Sequence, residues 1–218
     1  PMIILTASGG HNNIYHVTDD WTTIPWDHQD RWKYKITKIW QTLDDAAWEC
    51  FDKVSRMLWW PYPWWVRISQ QAAKWKPNPK FELNRIRLSH DKFEFSFSGI
   101  KSQINHLINK QKENINTPLD TCPNFGWEQQ GKLFTEQEIN DIAYEFQESV
   151  VEVLGKKLAR AALQYNAQTI WLSWWVSAND RLREYISQLL QNTQRLKDQI
   201  QHTKTSIPHL FSLWRKEK

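Results

Sequence analysis

Where this chain has to turn sharply it carries tryptophan in the places that ordinarily belong to glycine. The segment "IWLSWWVSANDRLREYI" (170–186) reads as a buried strand running into a capped helix, with Trp174 and Trp175 at the turn between them. Such a turn normally needs glycine, which reaches positive φ without a Cβ penalty and lets backbone N–H groups approach a ligand. In "MLWWPYPWW" (57–65) a helix must stop before Pro61. Trp59 then falls near the C′ position, where the backbone is commonly left-handed and glycine is preferred. Trp75, just ahead of Pro77 and Pro79, stands at another expected helix end. A side chain with a Cβ costs roughly 1–2 kcal/mol in that conformation. Composition agrees: the 218 residues hold six glycines and 15 tryptophans, whereas average usage is about 7% glycine.

The bulk properties set wider bounds. At 40% hydrophobic and 24% charged the chain is globular, and disorder is excluded. A net charge of +4 and a pI near 9.0 permit contact with a polyanion such as RNA. Most of the lysines and arginines read as solvated faces. Cys50, on an apolar helix face, and Cys122, in a Pro-rich loop, form no disulfide framework and point to a reducing, cytoplasmic setting. No apolar run approaches the roughly 20 residues needed to cross a bilayer. "MIIL" lacks the basic start and cleavage site of a signal peptide. A strand opening at once after Pro-Met suggests a chain that starts within a longer protein.

Periodicity gives the order of elements. "MIILTA" (2–7) and "NIYHV" (13–17) are strands of a hairpin joined through "SGGHN". Backbone N–H groups of Ser8, Gly9 and Gly10 can cradle a phosphate, and an ordinary Gly-Gly turn explains them equally. Ala47, Cys50, Phe51, Val54, Met57 and Leu58 share a helix face, with Asp44 or Asp45 as its cap. A further helix covers 66–75. Phe93, Phe95 and Phe97 alternate on a strand that turns at Gly99 into another helix, and 111–134 reads as loop. "TEQE" (135–138) is a capping box opening a long helix with Ile139, Ile142, Phe146, Val150, Leu154, Leu158 and Leu163 on one face. That helix feeds the strand "TIWLSW" (169–174), after which Ser177 with Asp180 can cap the next helix.

Five blocks in order, "SGGH" (8–11), "QTLDDAAWECFDK" (41–53), "YPWW" (62–65), "FSFSGIK" (95–101) and "VSANDRLRE" (176–184), resemble the TsaD family of bacterial tRNA threonylcarbamoyladenosine synthases, formerly described as O-sialoglycoprotein endopeptidases. The family pattern has glycine at the positions of Trp40, Trp48, Trp59, Trp64, Trp65, Trp75, Trp174 and Trp175. This implies a gene that spells glycine with UGA, read here as tryptophan. The resemblance implies an α/β, actin-like ATPase fold of the ribonuclease H-like group. Residues 1–190 would be mainly its second lobe, with a helical part at about 66–165. Residues 191–218 form a divergent tail, truncated or frame-shifted. It also implies transfer of threonylcarbamoyl from threonylcarbamoyl-AMP to N6 of the adenine 3′ to the anticodon, in tRNAs reading codons that begin with A. Thr6, Ala7, Ser8, Gly9, Gly10, Asp52, the position of Trp65 and Asn179 would bind ATP or the acyl-adenylate. For Asp52 a solvated helix acid is the plain alternative.

Partners implied in the same way are tRNA and TsaB-like and TsaE-like proteins, with no membrane. The family's divalent metal, iron or zinc, is held by an HxxxH-type helix and a "TDN" aspartate, and neither motif occurs here. None of the seven histidines forms an i, i+4 pair. The fragment is therefore expected to be inactive alone. A noncatalytic TsaB-like subunit is the second reading. A metalloprotease or a sugar kinase lacks supporting motifs.

Overall fold

The computed structural model describes residues 1–7, 10–19, 34–60, 64–75, 81–83, 94–115, 133–173, 179–192 and 202–204. They form two compact units. The first comprises 1–43, 93–95 and 152–218, the second 44–92 and 96–151.

The first unit is built on a sheet. Strand β1 (Met2–Ala7) alternates as its sequence requires, burying Ile3, Leu5 and Ala7 completely on one face. It pairs antiparallel with β2 (Asn12–Asp19), Ala7 opposite Asn12, as the hairpin expectation has it. Strand β2 pairs antiparallel with β3 (Tyr34–Thr42), the register shifting at Ile14/Tyr15. Beyond β1 on the other side, β5 (Thr169–Ser173) and β6 (His202–Lys204) run parallel to it. The edge strand β4 (Glu94–Phe95) is parallel to β3, giving the order β4-β3-β2-β1-β5-β6. The tail thus supplies a strand at 202–204 where none was expected from its sequence, because backbone pairing along the free edge of β5 asks little of side-chain identity.

The second unit is helical: α1 (Ala47–Met57), α2 (Trp64–Ala72), α3 (Ser98–Ile115) and the first half of α4 (Glu136–Gln164), whose second half belongs to the first unit. Helix α4 opens on the expected capping box. Thr135 N–H donates to Glu138 Oε2 at 2.7 Å, and Glu138 N–H donates to Thr135 Oγ1 at 3.3 Å. Its predicted face is buried from Ile139 to Leu158, and only Leu163 is half-exposed.

Three local expectations are corrected. Neither Asp44 nor Asp45 caps α1: the N-cap is Ala46 with no side-chain bond, because both carboxylates are drawn to α3. Gly99 makes no turn and lies in the first turn of α3, so among the described residues only Glu94 and Phe95 of the expected Phe93–Phe97 strand are strand, Phe93 lying outside them, and the helix reaches Ile115, five residues into the expected loop. Helix α5 (Asp180–Asn192) is capped by Asn179, whose Oδ1 accepts from Leu182 N–H at 3.0 Å. Ser177, Trp174 and Trp175 lie outside the described residues.

The expected helix ends differ from one another. Helix α1 closes in a Schellman motif, with Trp60 N–H on Ser55 O and Trp59 N–H on Arg56 O, both at 3.0 Å. Trp59 has φ of 55°, the left-handed backbone expected of it. Helix α2 ends through short turns, Lys74 N–H to Gln71 O and Trp75 N–H to Ala72 O, without positive φ at Trp75.

Candidate functional site

In the first unit, parallel pairing sets Thr6 of β1 opposite Ser173 of β5. The carboxyl ends of two adjacent parallel strands therefore open at the same edge of the sheet, the place where open α/β sheets bind ligands. Thr6 and Ala7 end β1, and Gly10 follows with no atom within 4 Å of where a Cβ would stand. Ser8 and Gly9, between them, lie outside the described residues. Strand β5 leads through 174–178 to Asn179 at the N-terminus of α5. The cap uses the Asn179 Oδ1 as its acceptor. Of the expected set, Thr6 and Ala7 end β1, Gly10 precedes β2, and Asn179 caps α5.

Asn12, the residue that reopens the hairpin after this loop, was not among the expected site residues. It is fully buried, and neither its Nδ2 nor its Oδ1 has a hydrogen-bond partner among the described residues. Only its backbone is engaged: Asn12 N–H donates to Thr42 Oγ1 at 2.9 Å, and that hydroxyl donates back to Asn12 O at 3.1 Å. A carboxamide opening a strand directly after Gly9-Gly10-His11 is the signal that could have marked it.

The second unit holds Asp52 and Trp65. Asp52 is half-buried on α1, and burial raises its pKa above the ordinary carboxylate value, Arg56 opposing and Glu49 adding to the shift. Trp65 is the second residue of α2, which packs against α1.

One residue pair sets the framework around Asp52. Asp44 accepts from Phe97 N–H at 3.0 Å and from Ser96 and Ser98 hydroxyls at 2.5 Å, at the N-terminus of α3. Burial works to raise its pKa, and these hydrogen bonds outweigh burial to hold it below the ordinary value. Asp45 accepts from Lys53 on α1 and Lys101 on α3, each at 2.5 Å. Those two cations likewise overcome burial and depress it. Cys50, beneath this network, points its thiol at Phe97 O, and burial pushes its pKa up to about 12, so it is an inert core thiol.

These features define an α/β protein with a mixed sheet and a set of helices. The model of the TsaD family, tRNA N6-adenosine threonylcarbamoyltransferase, matches residues 1–198, and the chain belongs to that family. Its relatives include the tRNA N6-adenosine threonylcarbamoyltransferases of Bdellovibrio bacteriovorus, 33% identical over 184 residues (84% of this chain, 44% of the relative). That of Tropheryma whipplei (strain Twist) is 32% identical over 188 residues (84% and 39%). The Bacillus thuringiensis (strain Al Hakam) protein is 32% identical over 183 residues (84% and 43%). The chain thus spans about two fifths of the length of these relatives. No described helix is long and apolar enough to cross a membrane.

Proposed function

We propose that this chain carries part of the nucleotide site of a tRNA N6-adenosine threonylcarbamoyltransferase with the actin-like fold. The observation that carries the proposal is the parallel alignment of β1 with β5, Thr6 opposite Ser173, at the ends of the two strands from which the chain continues to Ser8–Gly10 and to Asn179. Three antiparallel strands continuing into two parallel ones, in the order β3-β2-β1-β5-β6, support the ribonuclease H-like topology.

In the proposed reaction the adenine N6 of tRNA attacks the carbonyl of threonylcarbamoyl-AMP, a C–N bond forms, the acyl–phosphate C–O bond breaks, and AMP leaves. The backbone donors of Thr6–Gly10 would hold the phosphate. The Asn179 amide would donate to the nucleoside. Asp52, in the second unit, is proposed to accept from a ligand hydroxyl, and the position of Trp65 to border the ligand. Partners of this reading are tRNA and TsaB-like and TsaE-like proteins. No group of three or more His, Cys, Asp or Glu side chains able to hold a metal ion is found among the described residues. The described residues therefore offer no ligand set for the family's divalent metal, and no step is routed through one.

The test is calorimetry with ATP on this chain and on the chain with glycine at its tryptophan positions, followed by incorporation of labelled threonine into tRNA with the companion synthase and partner proteins present. Asn179→Ala should weaken nucleotide binding roughly tenfold if one amide hydrogen bond is lost along with its cap. Cleavage of peptides or phosphorylation of sugars, without nucleotide-dependent transfer to tRNA, would overturn the proposal.

A further inference from the structure

We propose that the residues at positions 59 and 75 are glycine in the protein as its source cell makes it, encoded by UGA, and that the same decoding accounts for the excess of tryptophan over glycine along the chain. Position 59 carries the first observation. The Schellman closure of α1 requires a left-handed residue at C′, and both of its hydrogen bonds are formed around Trp59. The second such residue is Asn166, φ 47°, where α4 closes with Ala167 N–H on Ala162 O and Asn166 N–H on Leu163 O. Asparagine tolerates this backbone through local hydrogen bonding, and a bulky indole does not. The two sites share one geometry, and only one holds a residue suited to it.

Position 75 carries an independent observation. The Trp75 ring stacks on Tyr144 of α4, centroids 4.0 Å apart and planes within 6°. Its Nε1 is buried with no hydrogen-bond partner among the described residues. One turn earlier on each helix, Gln71 of α2 and Asn140 of α4 have buried, unpartnered acceptor oxygens, Oε1 and Oδ1. An indole N–H normally finds an acceptor when buried, and leaving it orphaned is costly. Glycine at 75 removes the orphan donor outright.

Composition extends the inference beyond these two positions. Fifteen tryptophans against six glycines inverts the usual ratio. Two tryptophan pairs, 59–60 and 64–65, stand at helix ends, and a third, 174–175, follows β5 in sequence outside the described residues.

The test has two parts that do not depend on the enzymatic reading. The codons at all fifteen positions are read from the gene, and peptides covering residues 59 and 75 are taken from source-cell protein for mass spectrometry. UGA codons with glycine-mass peptides are expected; UGG at 59 and 75, or tryptophan in the peptides, overturns the proposal. Separately, Trp59→Gly in the recombinant chain should raise the folding equilibrium constant roughly tenfold, the relief of one left-handed Cβ penalty. Asn166→Gly at the matched site should change it much less. Equal responses at the two sites would remove the structural ground for the inference. Loss of nucleotide binding in either variant bears on the proposed function and leaves this test unaffected.

Discussion

Trp59 and Asn166 share one left-handed backbone, φ 55° and 47°, and the side chain alone separates the suitable residue from the unsuitable one. The same attention to local environment separates roles at Asp52. Burial raises its pKa, so its ionised form is disfavoured in the fold. A carboxyl whose native pKa is raised contributes stability that is present below the unfolded value and lost as pH rises through the native one. At neutral pH Asp52→Asn should therefore leave the unfolding midpoint unchanged or higher. Nucleotide affinity should fall about tenfold or more, because the hydrogen bond proposed between Asp52 and a ligand hydroxyl is removed. Parallel urea melts and ATP calorimetry check this. A fall in the midpoint with affinity intact would make Asp52 a structural residue and remove it from the site.

At the scale of elements, legibility followed the range of the interaction. The capping box at Thr135–Glu138, the left-handed residue at 59 and the alternation of β1 are set by residues within a few positions of one another, and all were readable. Asp44 and Asp45 were misread as caps because Ser96, Ser98 and Lys101, which draw them to α3, lie more than fifty positions away and nothing local announces them. The candidate site was named from local blocks alone. The "SGG" and "VSAN" blocks named their residues, but the parallel pairing that aligns Thr6 with Ser173 is a long-range fact. Gly155 shows a second kind of silence. A glycine in mid-helix looks expendable, yet a Cβ there would stand 2.6 and 2.7 Å from ring atoms of Tyr185 on α5. Helix propensity favours Gly155→Ala by about 1 kcal/mol, whereas forcing an aromatic ring aside costs about 1–3 kcal/mol. Net destabilisation in a urea melt is expected. Gly155→Ala combined with Tyr185→Ala should show non-additivity, since the clash is gone. A stabilised single variant would mean that α4 and α5 pack less closely than this.

For the whole molecule, each unit carries its own acid sensitivity. In the first, His16 on β2 stacks on Tyr165 with ring centroids 4.6 Å apart, and its Nε2 is buried without a partner among the described residues. Burial foremost, then the positive N-terminus, lower its pKa below 6.5. A histidine with a depressed native pKa contributes stability that is present above the unfolded value and lost as pH falls through the native one, because protonation places an unmatched charge in the fold. In the second unit Asp44 and Asp45 are depressed below 3.8 by the hydroxyls, N–H group and lysines around them. By the same sign their contribution is present above 3.8 and lost as pH falls through the depressed native values. Stability of the chain should accordingly decline in two windows, a first below about pH 6.5 and a second below about pH 4. His16→Phe should flatten the first window and leave the second. Asp45→Asn should lower stability at neutral pH, since Lys53 and Lys101 lose their shared partner, and flatten the second window only. Urea midpoints taken from pH 7.5 to pH 3 for the three proteins decide it. A single acid transition unaffected by His16→Phe would show that the histidine is hydrated in solution and that the sheet does not sense pH through it.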